Sequence, residues 1–463
     1  MHFNVKAMKL ISSTLAAFLM YSTLYAFQTY DQNLAYTHPA IVVKDGVSYT
    51  STRDVSAGTP FSTDDWTPLL DTAPTEDPGD APTTEPDDSN FSNLNPPEDT
   101  GLDLDTDARL INISTRGFVG TSDNQELVGG FVLKGAPGGS KTILVKGVAQ
   151  YMVGADGLTS SDLLDNPKLQ LQDAFGKVVA INDDWKTTQD LSSIASDDQS
   201  TFATSYSAST LQGSDYDAYR NELNSHDGAA AMLITVPLLT SQQASDLFGN
   251  AAYAGYNLFT AVVSSSSGAS GIAQVAIEDL DRSGDYNSTA KLVNISTRGY
   301  VGSSSNQKLV GGFVIMGDAG KAKKLLAKGS AQYMLGADGL TSSDLLTDPN
   351  LKLQDIVGNA VSRNDNWGAA GSLESDDTES IFSTSYDVSG LAGSDYDLYR
   401  NELNSHNNAS AMLINLPLMT SDQAQSLAGN SAYAGYALYT AIVSGNGSEV
   451  GVAQVTIEDL DRE

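Results

Sequence analysis

Apolar and polar residues alternate with a period of two over much of the chain beyond residue 108. The alternation is clear at residues 111–114, 169–172 and 273–278, where apolar residues occupy every second position. In a β-strand, successive side chains point to opposite faces, so this pattern is typical of a strand with one buried and one wet face. It therefore predicts half-buried strands.

The pattern occurs twice, because a long segment of the chain is duplicated. Residues 112–120 read Asn-Ile-Ser-Thr-Arg-Gly-Phe-Val-Gly, and residues 294–302 differ from them only by a Tyr in place of the Phe. Both copies end in Ile-Glu-Asp-Leu-Asp-Arg. We name residues 108–282 copy 1 and residues 290–462 copy 2; residues 283–289 join them.

Each copy contains enough strand signals for a complete β domain. In copy 1, further strands are predicted at residues 127–134, 141–148, 230–236 and 259–263, separated by Gly, Asn and Asp. About seven short strands with such punctuation favour an antiparallel β-sandwich. The predicted fold class is therefore all-β, with two tandem antiparallel β-sandwich domains.

Short helices interrupt the strands. A Ser-x-x-Asp capping box at Ser214 predicts a helix to His226 with Tyr216, Tyr219 and Leu223 on one face. Its counterpart in copy 2 begins at Ser394. Second and third short helices are predicted at the segments 240–247 and 160–164 of copy 1.

The order of motifs within the copies resembles a known type of repeat. In copy 1, Asn-Ile-Ser-Thr-Arg is followed by Gly-Gly-Phe at 129–131, Pro-x-Leu-x-Leu-x-Asp at 167–173 and Asn-Asp-x-Trp at 182–185. This order is similar to a β-sandwich repeat found in secreted and surface proteins of environmental bacteria, usually in tandem. The resemblance implies an extracellular structural or adhesive role and brings no catalytic residues with it.

The beginning of the chain predicts secretion. Lys6 and Lys9 precede an apolar run at residues 10–24, so residues 1–26 are predicted to be a signal peptide cleaved after Ala26. The alternative is an uncleaved anchor. No later segment is long and apolar enough to span a membrane, so the mature protein is expected to be extracellular, either released or held at the cell surface by other proteins.

We predict that residues 27–70 form a small aromatic β module. Strands at 41–43 and 47–50 flank an Asp-Gly that favours a tight hairpin. The layout resembles small chitin- and cellulose-binding modules (carbohydrate-binding families 5 and 12). This resemblance implies that Tyr36, Tyr49 and Trp66 contact sugar rings. The alternative is that these rings are the core of a module too small to have much else.

Residues 71–107 alternate Pro with acidic residues and contain no Lys or Arg. Such a segment buries too little apolar surface to offset its chain entropy, so we predict an extended spacer.

The net charge and the absence of cysteine limit the classes of partner that this chain is expected to bind. The formal net charge is −32 and cysteine is absent, which disfavours nucleic acid and anionic membranes and excludes thiolate chemistry. Calcium is a candidate ligand, since acidic loops can supply its oxygen ligands. The alternative is that these carboxylates are solvated or cap helices. The candidate ligands are Asp183, Asp215, Asp217, Asp365, Asp395 and Asp397.

No serine-hydrolase, phosphate-loop or zinc-protease motif occurs in the chain. We therefore expect a secreted non-enzymatic structural or adhesion protein that contacts a polysaccharide or another surface protein. Three alternatives stay open. One is a self-associating subunit of an extracellular fibre that assembles by strand addition. The second is a polysaccharide-degrading enzyme with an unrecognised active site, and the third is a calcium-stabilised spacer with no ligand of its own.

Overall fold

The computed structural model describes most of the two copies and short pieces of the aminoterminal module. The described residues are 28–29, 41–44, 47–51, 53, 55–62, 64–68, and 109–460 apart from 123–124, 225–227, 249–250, 281–290, 336–339, 385, 387–390, 392–395 and 405–407. The predicted signal peptide and the predicted spacer lie outside these residues.

The described part of the module is a small sheet. Its strands are β1 (Gln28–Thr29), β2 (Ile41–Lys44), β3 (Val47–Ser51) and β4 (Trp66–Pro68), paired in that order. The predicted hairpin is confirmed, because Lys44 at the end of β2 lies opposite Val47 at the start of β3. Arg53 donates to the buried carboxylate of Asp65 at 2.6 Å, just before β4.

Copy 1 contributes eight strands to the described structure. They are β5 (Arg109–Val119), β6 (Leu127–Lys134), β7 (Ser140–Val148), β8 (Pro167–Asp173), β9 (Val178–Asn182), β10 (Ala230–Pro237), β11 (Tyr256–Ser265) and β12 (Gly271–Asp279). Two antiparallel arrays result, in the orders β9-β8-β11-β6 and β10-β7-β12-β5. Strand β12 contacts β6 and β11 of the first array, so apolar faces of the two arrays meet in the core.

Copy 2 repeats this layout. Its strands are β13 (Lys291–Val301), β14 (Leu309–Met316), β15 (Ala322–Ser330), β16 (Pro349–Asp355), β17 (Ala360–Asn364), β18 (Ser410–Pro417), β19 (Tyr436–Gly445) and β20 (Gly451–Asp459). The arrays are β17-β16-β19-β14 and β18-β15-β20-β13. The predicted all-β fold is confirmed.

The two copies share their sheets. Strand β5 of copy 1 pairs with β14 of copy 2, from Arg116 opposite Val310 to Arg109 opposite Met316. Strand β13 of copy 2 correspondingly pairs with β6 of copy 1, with Leu292 opposite Leu133. The first strand of each copy therefore extends an array of the other copy, and one 16-stranded sheet results.

Equivalent residues of the two copies meet where β5 and β13 run side by side. Thr115 donates a hydrogen bond to Thr297 across 2.9 Å, and the ring centroids of Phe118 and Tyr300 are 6.0 Å apart. Gly117 lies against both Leu127 and Leu309, and an added Cβ would be 2.8 Å from Leu127 and 3.2 Å from Leu309. The copies are thus related by a pseudo-twofold axis that follows these strands.

Four short α-helices are described: α1 (Asp217–Asn224), α2 (Ser241–Phe248), α3 (Asp397–Asn404) and α4 (Ser421–Ala428). The first two confirm the helices predicted near these positions, and Tyr219 and Leu223 of α1 are buried as expected. The third predicted helix, at 160–164, is wrong. Asp162 caps a turn by accepting the Thr159 N–H at 2.8 Å, and Leu163 then forms a bridge to Ile272.

The solvent-exposed face predicted by alternation is confirmed for β8 and wrong for β5 and β12. In β8 every second residue is buried, whereas Asn112 and Ser114 of β5 and every residue of β12 are buried. Beside β12, on the outer side of β7 and β10, Trp185, Tyr219 and Leu223 form a second, smaller core with Leu144 and other apolar residues. Glu278 of β12 pairs with the buried Lys146 of β7. None of the helices in the described ranges is both long and apolar enough to cross a bilayer.

Candidate functional site

Copy 1 carries a group of apolar side chains that we name the aromatic face: Phe175, Tyr253 and Leu258, which are exposed, and Phe248, which is half-buried. Phe175 is 53% exposed, Tyr253 is 49% exposed and Leu258 is 40% exposed. Three of these four side chains contain no polar atom. Contiguous exposed apolar residues of this kind mark surfaces that bind a partner.

The turn between β8 and β9 presents Phe175. The Asp173 carboxylate accepts the backbone N–H groups of Phe175 at 2.9 Å and Lys177 at 3.0 Å. Gly176 follows with φ of +75°, which glycine adopts without steric cost. The serine Ser200 donates to the other oxygen of Asp173 at 2.6 Å. The buried carboxylate therefore fixes the exposed ring.

Helix α2 brings Phe248 to the same place. The helix begins at a capping box, in which Thr240 accepts the N–H of Gln243 at 3.2 Å and Gln243 accepts the N–H of Thr240 at 3.0 Å. At the other end of α2, the Phe248 ring stacks on Phe175 with centroids 5.5 Å apart and an interplanar angle of 23°. Tyr253 meets Phe248 edge-on at 5.7 Å.

Leu258 of the aromatic face lies in strand β11. Tyr256 lies two residues before it, so both side chains point to the same side of the strand. The Lys134 ammonium lies 5.6 Å from the centroid of the Tyr256 ring, within the range of a cation–π contact. One cationic group therefore lies beside Tyr256, on the side of β11 that carries Leu258.

At the equivalent positions of copy 2, the side chains are smaller or buried. Val357 replaces Phe175, and Ala428 replaces Phe248. Tyr433 and Leu438, the counterparts of Tyr253 and Leu258, are only 1% and 3% exposed. Tyr433 packs edge-on against Tyr436 at 6.3 Å. Of the two copies, only copy 1 presents this surface to solvent.

The residues predicted to contact sugar lie in the aminoterminal module. Tyr49 lies in β3 opposite Pro68, and Trp66 lies in β4 opposite Ser51. The structure thus describes these two residues only by their place in the strand register. Tyr36 lies outside the described residues. The predicted sugar contact of these three residues stays a prediction.

The predicted calcium ligands are dispersed. Asp183 accepts a hydrogen bond from Gln189, Asp217 pairs with Arg220 within α1, and Asp365 is exposed after β17. Asp215 lies in the turn Ser214–Tyr216, Asp397 begins α3, and Asp395 is outside the described residues. In the described part of the chain, no three acidic or histidine residues come together as metal ligands. Calcium binding stays a prediction.

A buried charged cluster lies beneath α1. The Lys146 ammonium is 2.7 Å from the carboxylate of Glu222, and it also pairs with Glu278 of β12. Burial alone would lower the pKa of Lys146, but the two carboxylates outweigh it and raise that pKa. Burial, together with the same carboxylates, raises the pKa of the Tyr151 hydroxyl. The side chain of Lys146 is 2% exposed, so the cluster holds α1 on the sheet and does not face solvent.

No family model matches the chain, and no curated protein is significantly similar to it. The case for the aromatic face as a functional site therefore comes from its geometry alone. Alternation of polar and apolar residues could not have identified it, because Phe175 lies in a turn and Tyr253 in a short 3-10 helix, and neither lies in a strand. The signal that identifies it is a comparison of the copies, since Phe175 and Phe248 are large rings where copy 2 has Val357 and Ala428.

Proposed function

We propose that this chain is a secreted, non-enzymatic adhesion protein that contacts a neutral polysaccharide through the aromatic face of copy 1. The observation that carries the proposal is the exposed ring of Phe175, stacked on the half-buried Phe248 with the exposed Tyr253 beside it; in copy 2 the first two rings are absent and the third is buried. Flat apolar rings offer contact area to the apolar faces of sugar rings.

Charge supports a neutral ligand. The net charge of −32 repels acidic polymers at ordinary ionic strength, including nucleic acid and acidic glycans. A neutral glycan such as chitin or cellulose carries no charge and is not repelled. Lys134 beside Tyr256 provides a local donor for glycan hydroxyl groups.

The rigidity of the aromatic face supports binding as well. Ordering loose side chains on binding costs about 0.5–1.5 kcal/mol for each. Here the hydrogen bonds to Asp173 fix the turn that carries Phe175, and the capping box fixes the start of α2. The rings are therefore held in place before any ligand arrives.

The aminoterminal module would provide a second contact. In this proposal Tyr49 and Trp66 bind the same kind of glycan, and the spacer at 71–107 separates the two contacts. Two linked contacts raise the apparent affinity through effective concentration, provided the linker spans both sites.

Co-sedimentation with insoluble chitin and cellulose tests the proposal. The mature chain, from Phe27 to Glu463, is compared with the variant Phe175→Ala/Tyr253→Ala and with a chain that lacks residues 27–70. Each truncated ring is expected to weaken binding by about 1–2 kcal/mol, so the double variant should bind at least about tenfold more weakly. Leu335→Ala, which shortens an exposed side chain of copy 2, is the matched control and should bind like the wild type.

Equal binding of the wild type and the double variant would contradict a role for the aromatic face. If deletion of 27–70 alone abolishes binding, the module is the glycan site and the copies have another role. Release of soluble sugar from the polymer would instead favour the hydrolase alternative.

A further inference from the structure

We propose that the surface joining the two copies is an exchangeable strand-pairing interface, and that its second partner is another copy of this chain. In the exchanged form, copy 1 of one molecule pairs with copy 2 of another. This inference is independent of glycan binding, because it concerns β5, β6, β13 and β14 and not the aromatic face.

The interface is made by strand addition in both directions. Strand β5 supplies the edge pairing for β14, and β13 supplies it for β6. A copy without its partner would leave these backbone groups unpaired, and unpaired strand edges are templates for another chain. Each copy therefore needs a partner copy to complete its sheets.

The interface is self-complementary. Thr115 meets Thr297 at 2.9 Å, Phe118 meets Tyr300, and Leu127 and Leu309 both lie beside Gly117. Equivalent residues contact each other, as they do in the isologous interface of a twofold homodimer. Copy 1 and copy 2 thus present matching surfaces.

Nothing in this pairing requires both copies to belong to one molecule. The strands are joined only through residues 280–290, which follow β12 and precede β13. Such a link favours the internal pair by supplying an effective concentration in the millimolar range. A second molecule at comparable concentration offers the same strands with the same contacts.

Exchange between molecules can give either a closed dimer or an open-ended fibre. Two molecules that exchange reciprocally form a closed dimer, whereas unreciprocated exchange adds one molecule after another into a fibre. Because Leu127 and Leu309 are fully buried in a core shared by both copies, exchange requires that the pair first opens. Folded molecules should therefore exchange slowly, and molecules that fold together should exchange readily.

Cysteine pairs provide a direct test, since the chain has no cysteine of its own. Full-length Thr115→Cys and Thr297→Cys chains are mixed, refolded together at high protein concentration, oxidised and separated on a non-reducing gel. The expected result is a disulfide-linked dimer that contains one of each chain. Each variant refolded alone should give no such dimer, because position 115 of one molecule faces position 297 of the other.

The doubly substituted Thr115→Cys/Thr297→Cys chain, folded at low concentration, is the positive control and should form an internal disulfide. If it does so while the mixed chains give no dimer, exchange between molecules is overturned. If the internal disulfide does not form, the interface itself is contradicted.

A second measurement avoids substitutions. Unlabelled and isotope-labelled wild-type chains are refolded together, and native mass spectrometry should then detect mixed dimers. Monomers alone would overturn the proposal.

Discussion

Asp355 shows how one buried carboxylate organises a turn. Its Oδ1 accepts the N–H groups of Val357 and Asn359, each at 2.9 Å, and Ser380 donates to its other oxygen. Burial raises the pKa of Asp355 to about 6, and these hydrogen bonds only partly oppose that rise. Asp173 makes the same bonds in copy 1, where they hold Phe175.

The raised pKa predicts a pH dependence of stability. An aspartate in an unfolded chain has a pKa of about 3.9, so folded Asp355 binds its proton more tightly. Its contribution to stability is fully present below about pH 4 and is lost as the pH rises through about 6, by at most about 3 kcal/mol. Relative to the wild type, Asp355→Asn should therefore gain free energy of unfolding between pH 4 and pH 7, measured by urea unfolding.

Asp344→Asn is the control with the opposite sign. Hydrogen bonds from Thr341 lower the pKa of Asp344, so the contribution of this carboxylate is lost as the pH falls and not as it rises. A difference between wild type and Asp355→Asn that stays constant from pH 4 to pH 7 would contradict the burial of a protonated carboxylate.

At the scale of elements, α1 converts an outward sheet face into a second interior. Lys146 and Glu278 occupy positions that alternation assigns to water, yet both are at most 2% exposed. Glu222 of α1 completes the cluster. Charged side chains under a helix are tolerated because they are paired, since an isolated buried charge costs several kcal/mol.

Lys146→Met is predicted to destabilise the fold strongly. The substitution keeps the apolar length of the side chain but leaves the carboxylates of Glu222 and Glu278 without their lysine, at an expected cost of about 3–5 kcal/mol in the free energy of unfolding. Lys177→Met is the matched control. Its ion pair with Asp198 is 3.6 Å long and partly exposed, so about 1 kcal/mol or less should be lost.

Urea unfolding of both variants measures the difference. If Lys146→Met were no worse than Lys177→Met, then Glu222 and Glu278 would have to reach water, and α1 would not cover the sheet.

Sequence alone was enough for many elements of this fold. The strand predicted at 127–134 matches β6, and α1 and α2 begin within a few residues of the predicted positions. Alternation also predicted β8 correctly, but it could not show that α1 packs on the outer side of β7 and β10. A two-residue period separates the faces of a strand and does not say what packs on the polar one.

The pairing of strands between the two copies could not be predicted from the sequence, and the reason is a different one. Because β5 and β13 are nearly identical in sequence, either strand fits β6 or β14 equally well by pattern. Choosing between the two pairings requires the path of the chain in space. The aromatic face was likewise missed, since Phe175 and Tyr253 are distant in sequence and meet only through the turn and α2.

At the scale of the whole molecule, the duplication produces one interleaved unit with two unlike faces. Each copy completes the sheets of the other, while the exposed rings Phe175 and Tyr253 of copy 1 correspond to the buried Val357 and Tyr433 of copy 2. Shared sheets fix the orientation of the aromatic face relative to copy 2. Under the proposed function, the glycan contact is presented by copy 1 from sheets that it shares with copy 2.

The most direct measurement cuts the connection between the copies. A site for a sequence-specific protease is inserted within residues 283–289, the folded chain is cleaved there, and the product is weighed by native mass spectrometry at micromolar concentration. If β5 pairs with β14 and β13 with β6, the two halves stay together as one complex with the mass of the uncut chain plus the water added by cleavage. Separation into two free halves under native conditions would contradict the interleaved fold.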